Sequence, residues 1–374
     1  MKELMSVNIN IEHRILSKRY LYRSRFPWYE KKDNVIYNLL LKLNENKNEE
    51  VRKKVNSCPL CGRTNAILIS MRDRYGFPLS TLICSECEFI YSHEIFSEKF
   101  IQFYYGEYAI KFKRGSESLG SLFDKRTLKS AYCWTRKFFF ESSFDNINET
   151  KKIVDIVEFG CSDGANLFPY YIEGKKVYGF DYDMERIKYG RSRGLNLYKG
   201  SLDEFIRLKI KPNLIILSHF IEHLVNIDVF LSRLYECIPN MTYLYVEVPG
   251  IRFLVRPKKR IENIDNYRSS MNLLDNIQLE HNYFFDLKTL VMFFKRNGFR
   301  LIQGDEIVRA VFIKDDSNSH LEKSINYEYG NIFDYLKSIE KEYMKRWFYR
   351  LIHFLAKFKR KLWQKCQALL VNDY

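Results

Sequence analysis

The strongest constraint on the fold is a change of pattern at Ile153. From this residue onwards, short apolar runs alternate with stretches of helical character. The runs are IVDIVEF, KVYGFD, LNLYKG, NLIILSHF, TYLYVEVPG and FRLIQGDEI. Near-continuous apolar strands separated by helices are typical of a parallel sheet that is buried on both faces. The pattern therefore predicts an α/β fold with a doubly wound, mostly parallel sheet.

The composition fits a globular chain with a sizeable core. Of the 374 residues, 46% are apolar and 16% are aromatic, which excludes a disordered or fibrous protein. No stretch is long and apolar enough to cross a bilayer, and the N-terminal sequence MKELMSVNIN is too polar for a secretory signal. We therefore expect a cytoplasmic protein.

Basic residues are concentrated at the two ends of the chain. The formal net charge is +15; residues 1–56 hold 13 Lys and Arg against 7 Asp and Glu, and residues 330–374 hold 10 against 4. An enzyme that acts on nucleic acid would more often have its basic residues around the reaction centre. The distribution favours docking through the ends and argues against a nucleic-acid substrate.

Four of the eight cysteines form one local pattern. Cys58-x-x-Cys61 and Cys84-x-x-Cys87 are two short pairs separated by 22 residues. Two residues between thiolates let both sulfurs of a turn face one ion, and two such turns complete a tetrahedron. The spacing predicts a zinc site, and because the protein fills all four positions the ion would be structural. The remaining cysteines are scattered, which fits a reducing compartment.

The C-terminal tail has the pattern of an amphipathic basic helix. Lys and Arg fill much of the space between apolar residues that recur at intervals of three or four. These apolar residues are Leu336, Ile339, Tyr343, Trp347, Leu351, Phe354, Phe358 and Leu362. Three interpretations of residues 330–374 stay open: packing on the protein's own core, pairing with a second subunit, and peripheral contact with an anionic membrane at its inner face.

The first apolar run after Ile153 leads into a glycine-bearing turn, VEFGCSDGANL. An acid ends the run at Glu158, and Gly160 and Gly164 let the backbone approach a ligand closely. Seventeen residues beyond Gly164, the second run ends at Asp181, where a carboxylate can accept hydrogen bonds from both hydroxyls of a ribose. Any α/β enzyme needs glycine at such a turn, so the turn alone does not indicate a cofactor site. The turn and the acid together predict a nucleotide-type cradle.

In this order and spacing, the motifs resemble those of class I S-adenosylmethionine-dependent methyltransferases. The similar segments are VEFGCSDGANL, GFDYDMERIKYGRSRG, NLIILSHFIEHLVN, YLYVEVPG and HNYFFDLKTLVMFFKRNGFRLI. The four-cysteine unit followed by FIQFYYGEY is similar to the N-terminal zinc-binding module of the sugar C-methyltransferase group. The resemblance implies a seven-stranded sheet, S-adenosylmethionine as cofactor and a small polar, sugar-linked acceptor.

The resemblance also implies a set of cofactor-binding residues. The first turn would contact the methionine part, Asp181 the ribose, and the residues after the third and fourth strands the adenine and the methionine side. The implied set is Glu158, Gly160, Cys161, Gly164, Asp181, Ser201, Leu202, Ser218 and His219. The chain departs from the family pattern at Ser162, where a third glycine is usual, and at Ser201, where an acid is frequent.

Two acid–histidine pairs, Glu222-His223 and Glu280-His281, are candidates for a general base. Methyl transfer from a sulfonium is an in-line displacement that needs alignment and no protein nucleophile, but a base can remove a proton from the acceptor. Imidazole titrates near neutral pH. We predict Glu222, His223 and His281 as catalytic residues, with a purely structural role for the histidines as the alternative. Tyr104, Tyr105 and Tyr108 are either a lid or packing residues.

The sequence divides into four predicted units. They are a basic extension (1–56), a zinc-binding module with a helical connector (57–150), the cofactor-binding domain (151–325) and the helical tail (326–374). The leading hypothesis is a methyltransferase that acts on a sugar or glycan intermediate in surface-polysaccharide or natural-product biosynthesis. The alternatives are an RNA methyltransferase and a non-catalytic scaffold that retains the fold.

Overall fold

A computed structural model describes residues 9–22, 51–108, 118–128, 131–144, 150–252, 273–315, 331–345 and 348. Its strands are β1 (Asn10–His13), β2 (Arg52–Lys54), β3 (Asn65–Arg72), β4 (Pro78–Cys84), β5 (Ile90–Ser92), β6 (Glu94–Phe96), β7 (Asp155–Phe159), β8 (Lys176–Asp181), β9 (Asn196–Lys199), β10 (Leu214–Ser218), β11 (Tyr243–Glu247), β12 (Tyr283–Phe284), β13 (Phe299–Gly304) and β14 (Arg309–Lys314). Its α-helices are α1 (Glu98–Phe103), α2 (Leu119–Thr127), α3 (Tyr132–Glu141), α4 (Phe168–Ile172), α5 (Met184–Ser192), α6 (Leu202–Leu208), α7 (Ile227–Cys237), α8 (Leu287–Arg296) and α9 (332–345).

Seven strands form one large sheet in the order β13-β14-β11-β10-β7-β8-β9. The five strands from β11 to β9 run parallel, whereas β14 pairs antiparallel with both β11 and β13. Helices connect the parallel strands, and the central strand β10 is buried along its whole length. The prediction of a doubly wound, mostly parallel seven-stranded sheet is confirmed.

A second sheet of five strands has the order β1-β3-β4-β5-β12. It is assembled from three distant parts of the chain, because β1 precedes the cysteine unit and β12 follows β11 by more than thirty residues. The predicted units assign these strands differently: β1 falls in the basic extension (1–56), β12 in the cofactor-binding domain (151–325), and β3, β4 and β5 in the zinc-binding module (57–150). Strand pairing between distant segments leaves no mark in local composition, so the sequence does not reveal it.

The described part of the tail packs on the protein's own core. Ile332, Phe333, Leu336 and Ile339 of α9 are buried in the same cluster as Leu16 and Tyr20 near the start of the chain. The predicted helical positions from Trp347 to Leu362 lie outside the described residues. Among the residues that are described, no helix has the length and apolar content needed to cross a membrane.

One buried carboxylate ties α9 to the N-terminal segment. Glu340 accepts hydrogen bonds from Ser17 Oγ at 2.8 Å, Arg19 Nη1 at 3.0 Å and Tyr20 Oη at 3.2 Å. The Arg19 guanidinium also lies 3.8 Å from the centre of the Tyr343 ring. A buried charge with three donors is well compensated, whereas removing the carboxylate leaves those donors unsatisfied.

We therefore expect Glu340→Ala to lower the free energy of unfolding by about 3 kcal/mol, because it breaks a buried, hydrogen-bonded ion pair. Urea denaturation of the full chain measures the change. Glu342→Ala is the matched control: its carboxylate is half exposed and pairs with Lys345 along the helix, so the expected loss is below about 0.5 kcal/mol. Equal denaturation midpoints for the two variants would contradict the role of Glu340.

Candidate active site

A cavity of about 870 Å³ lies at the carboxyl ends of the parallel strands. The turns that follow β7, β8, β9 and β10 form one wall, and β2, β6 and α1 form the other. Ligands of open α/β sheets bind at this edge, at the point where the strand order reverses between β7 and β10. The volume is within the range of small-molecule and cofactor sites.

The turn after β7 and the end of β8 form a cradle on the cavity wall. Gly160 has φ +69°, and the next-but-one residue, Ser162, has φ +58°. The Ser162 N–H donates to Asp181 Oδ2 at 2.7 Å, and the Asp183 N–H donates to Asp181 Oδ1 at 2.9 Å. Burial raises the pKa of Asp181, and these two N–H groups oppose that rise. Gly160 and Asp181 line the same cavity.

The other predicted cofactor residues divide into two groups. Ser201, Leu202 and His219 line the cavity, whereas Glu158, Cys161, Gly164 and Ser218 lie behind its wall. Gly164 serves packing, since a Cβ there would stand 2.6 Å from Leu195 Cδ1.

Behind the cradle lies a chain of buried polar groups. Glu158 Oε1 accepts a hydrogen bond from Asn166 Nδ2 at 2.6 Å, and Arg136 donates to Asn166 Oδ1 at 2.9 Å and to Glu247 Oε2 at 2.6 Å. Burial raises the pKa of Glu158 to about 8. Burial also acts to raise the pKa of Glu247, but the Arg136 guanidinium and the His219 imidazole lower it well below its usual value. Glu158 therefore supports the turn from behind, while Glu247 carries charge beneath the cavity floor.

His219 stands on the cavity floor between two carboxylates. Its φ is +52°, its Nδ1 is 3.4 Å from Glu222 Oε1, and its Nε2 is 3.6 Å from Glu247 Oε1. Burial acts to lower the pKa of His219, but Glu222 and Glu247 outweigh it and raise the pKa to about 9. The two carboxylates therefore favour the charged form of this ring, which lines the cavity.

The two predicted acid–histidine pairs come together beside the cavity. The rings of His223 and His281 contact each other edge to face with 4.8 Å between their centres, and one ring nitrogen of each lies within 4.8 Å of a Glu222 carboxylate oxygen. Burial acts to raise the pKa of Glu222, but the imidazoles of His223 and His219 lower it. Only His223 of the predicted catalytic set lines the cavity; Glu222 and His281 are buried behind it.

The orientation of the His223 ring is fixed through Nδ1. This nitrogen donates its proton to the Glu280 carbonyl oxygen at 2.9 Å, and Tyr105 Oη lies 2.9 Å from the same nitrogen. His223 Nε2 is 3.8 Å from Glu222 Oε1. In this tautomer Nε2 is the basic atom, with a carboxylate near enough to stabilise an imidazolium.

Several residues that contribute to the site are absent from the sequence-based prediction. Lys53, Gln102 and Arg186 line the cavity, and Arg136 supports it from the helical connector. The Arg186 guanidinium also contacts Ser162 Oγ across the cradle. Lys53 and Arg136 lie outside the segments that resemble the family, and Gln102 and Arg186 lie within them at positions to which the resemblance assigns no role.

The four predicted metal ligands form a compact cluster at one end of the five-stranded sheet. The Sγ atoms of all four cysteines lie within 4.8 Å of one another. The Sγ atoms of Cys58 and Cys87 are 3.5 Å apart, and so are those of Cys61 and Cys84. Each pair sits in a tight turn whose next residue, Gly62 or Glu88, is left-handed. In a tetrahedral zinc–thiolate site the sulfurs are about 3.8 Å apart, so the cluster fits the ion.

Comparison with known families identifies the class of the central domain. Residues 124–304 match the family model described as a methyltransferase domain. Together with the seven-stranded sheet and the cavity at its carboxyl edge, the match identifies a methyltransferase domain in this part of the chain. The comparison with curated proteins finds no match.

Solved structures resemble the chain over part of its length. Human N-acetylserotonin methyltransferase in complex with SAM is 13% identical over 52% of this chain and 54% of its own, with a TM-score of 0.37. A SAM-dependent methyltransferase from Archaeoglobus fulgidus is 17% identical over 60% and 92%, with a TM-score of 0.36. One from Bacteroides fragilis in complex with S-adenosyl-L-homocysteine is 13% identical over 44% and 73%, with a TM-score of 0.31.

Proposed function

We propose that the chain binds S-adenosylmethionine in the 870 Å³ cavity and transfers its methyl group to a small polar acceptor. The observation that carries the proposal is that Gly160, Asp181 and His223 line one cavity. The glycine turn and the carboxylate suit a ribose and a methionine chain, and the imidazole suits a proton acceptor. When bound, the cofactor supplies an electrophilic methyl group on a sulfonium.

The protein's own residues would align the acceptor and accept its proton. The cavity walls hold the acceptor in line with the methyl group, and such alignment alone contributes a large part of the acceleration. His223 Nε2 takes the proton that the attacking atom loses, and the Glu222 carboxylate stabilises the resulting imidazolium. His281 and Glu222 act through His223 and are therefore positioning residues.

We propose a sugar or glycan intermediate as the acceptor, in surface-polysaccharide or natural-product assembly. Support comes from the shape and chemistry of the second wall. Lys53 and Gln102 provide polar groups for hydroxyls or a phosphate, while Ile95 and Ile101 give apolar surface beside them. Incubation with labelled S-adenosylmethionine and a panel of nucleotide-linked sugars, followed by mass analysis, tests this substrate class.

An RNA acceptor is the second candidate: the basic ends and the cysteine cluster favour it, whereas the near-neutral middle of the chain argues against it. RNA binding through Lys and Arg would weaken steeply as salt rises. Electrophoretic shifts with structured and single-stranded RNA at two salt concentrations therefore separate the candidates. A cavity that binds no cofactor at all would instead favour a scaffold that retains the fold.

We also propose that the cysteine cluster holds one structural zinc ion. Cys58, Cys61, Cys84 and Cys87 would supply all four ligands, and no described side chain completes a fifth position. A site closed in this way stabilises a fold and offers no position for a substrate. Metal analysis of the purified chain should return one zinc per chain.

The cofactor assignment predicts a specific loss of affinity in Asp181→Asn. A carboxylate that accepts hydrogen bonds from two ribose hydroxyls contributes about 3 kcal/mol, so the dissociation constant for S-adenosylhomocysteine should rise about 100-fold. Calorimetric titration measures it, with NAD as the ligand control. Asp155→Asn is the matched variant, because this acid begins the neighbouring strand β7 at the opposite edge of the sheet and should leave affinity unchanged. Binding of NAD alone would overturn the assignment.

A further inference from the structure

The segment 280–283 braces the turn that carries His223. This turn is a short 3-10 helix, Ile221–His223, and nothing in its own sequence fixes the direction of the imidazole. The bracing segment is almost sixty residues further along the chain and ends at the first residue of β12. Whether the two segments stay aligned decides where His223 Nε2 points.

Asn282 makes three of the hydrogen bonds between these segments. Its backbone N–H donates to the Glu222 carbonyl oxygen at 2.8 Å. Its side-chain Nδ2 donates to the carbonyl oxygens of Leu224 at 2.9 Å and His223 at 3.2 Å. The side chain is 1% exposed, so water cannot replace these donors.

Neighbouring contacts complete the brace. The Glu280 carbonyl oxygen accepts the Nδ1 proton of His223, and Tyr283 Oη donates to the Val225 carbonyl oxygen at 2.8 Å. The His223 side chain and the backbone on both sides of it are thus held by the same four-residue segment.

The five-stranded sheet, which carries the cysteine cluster, holds the segment 280–283 in turn. Ser92, at the end of β5, donates from its N–H to the Asn282 carbonyl oxygen at 2.9 Å and from Oγ to the His281 carbonyl oxygen at 2.9 Å. Strand β12 then continues the pairing with β5. The sheet that begins at the cysteine cluster therefore reaches the catalytic histidine through Asn282.

We infer that Asn282 is a positioning residue for methyl transfer. It fixes the turn of His223 against the five-stranded sheet and so directs the Nε2 atom towards the acceptor. The inference rests on the proposed function for its catalytic consequence. Its structural consequence, the fixed Nδ1–H tautomer of His223, does not depend on methyl transfer.

Asn282→Leu tests the inference, because leucine has the same number and branching of side-chain heavy atoms and lacks the two amide donors. We expect turnover to fall about 10–100-fold, since a displacement of about 1 Å at a catalytic group costs on that order. The dissociation constant for S-adenosylhomocysteine should stay within about 3-fold, because Gly160 and Asp181 lie in the turn after β7 and at the end of β8, outside the turn that Asn282 braces. Nitrogen-15 spectra above neutral pH should show His223 losing its Nδ1–H tautomer; His223→Gln assigns the signal.

Asn213→Ala is the matched control. Asn213 Oδ1 accepts hydrogen bonds from the N–H groups of Val154 and Asp155 at 3.0 and 3.1 Å and so also joins two segments, but at the opposite edge of the large sheet. It should lower stability and leave both turnover and the His223 tautomer unchanged. Should Asn282→Leu fail to fold, Tyr283→Phe removes one bond of the same brace, and we expect a turnover loss of about 3-fold with a partial tautomer change.

An unchanged His223 tautomer in Asn282→Leu would overturn the inference, as would a loss of turnover no greater than that of Asn213→Ala. If the wild-type chain transfers no methyl group to any acceptor, the proposed function fails while the tautomer measurement still decides the role of Asn282.

Discussion

Replacing Cys84 by serine is expected to unfold the five-stranded sheet and to abolish zinc binding. The Cys84 side chain is fully buried, and its Sγ lies 3.5 Å from Cys61 Sγ at the end of β4. Structural zinc contributes about 10–16 kcal/mol in small zinc-binding folds, which equals or exceeds the total stability of a typical domain. A serine hydroxyl does not replace a thiolate ligand, so most of this free energy is lost.

The loss of stability should extend beyond the cysteine cluster, because residues next to the cluster contact side chains around α8. Phe89, which lies between the second cysteine pair and β5, packs against the rings of Tyr283, Phe285 and Phe293. Arg296, at the end of α8, donates to the Pro59 carbonyl oxygen at 3.0 Å and contacts the Leu60 carbonyl oxygen in the first cysteine turn. Losing the metal removes the support of both contacts.

Zinc content and hydrogen exchange of β3, β4 and β5 measure the effect. Cys237→Ser is the control, because this thiol lies at the end of α7, apart from the cluster, and donates only to the Leu234 carbonyl oxygen. It should keep one zinc per chain and normal protection. A Cys84→Ser chain with the same zinc content and the same exchange rates as the wild type would show that the cluster is not a zinc site.

The large sheet could be predicted from the sequence because buried parallel strands appear as apolar runs. All six runs from IVDIVEF to FRLIQGDEI contain a strand of this sheet, β7 to β11 and β13. The seventh strand, β14, has no separate prediction from the residues; the resemblance alone implied seven strands. Its sequence, Arg309–Lys314, follows β13 after a turn and forms an antiparallel hairpin that local composition does not separate from a loop.

The site could be predicted only where its residues belong to those strands or their turns. Gly160, Asp181, Ser201, His219 and His223 follow strand ends, so sequence order alone brings them to one edge of the sheet. The sequence does not predict how deeply each side chain is buried. Glu158 was expected near the cofactor, yet strand alternation in β7 turns it into the interior.

Contacts between distant segments account for what the sequence leaves undetermined. Arg136 lies in the connector and Asn282 in a loop, and each acquires its role only when the chain folds back on the large sheet. Tyr105 was expected as a lid or as packing; it packs against the buried core, and its hydroxyl also contacts His223. A pattern of single residues cannot encode such pairings, because their partners are more than fifty residues away.

Replacing His223 by glutamine should reduce turnover about 10²–10⁴-fold and leave cofactor affinity nearly unchanged. The lower and upper values span the usual contribution of general base catalysis. Glutamine keeps a polar side chain of similar length and offers no basic nitrogen at neutral pH. Because Glu222 and His281 do not line the cavity, neither is placed to accept the acceptor's proton directly. Steady-state rates and calorimetric titration with S-adenosylhomocysteine separate the two effects.

His281→Gln should have a smaller effect on turnover than His223→Gln, since the His281 ring contacts the His223 ring and does not line the cavity. His13→Gln is the control, because that histidine is exposed on β1 and far from the cavity in the strand order. If both His223→Gln and His281→Gln turn over at the wild-type rate, imidazole has no part in the chemistry. The acceptor then loses its proton to solvent, and the enzyme contributes only the alignment of acceptor and methyl group.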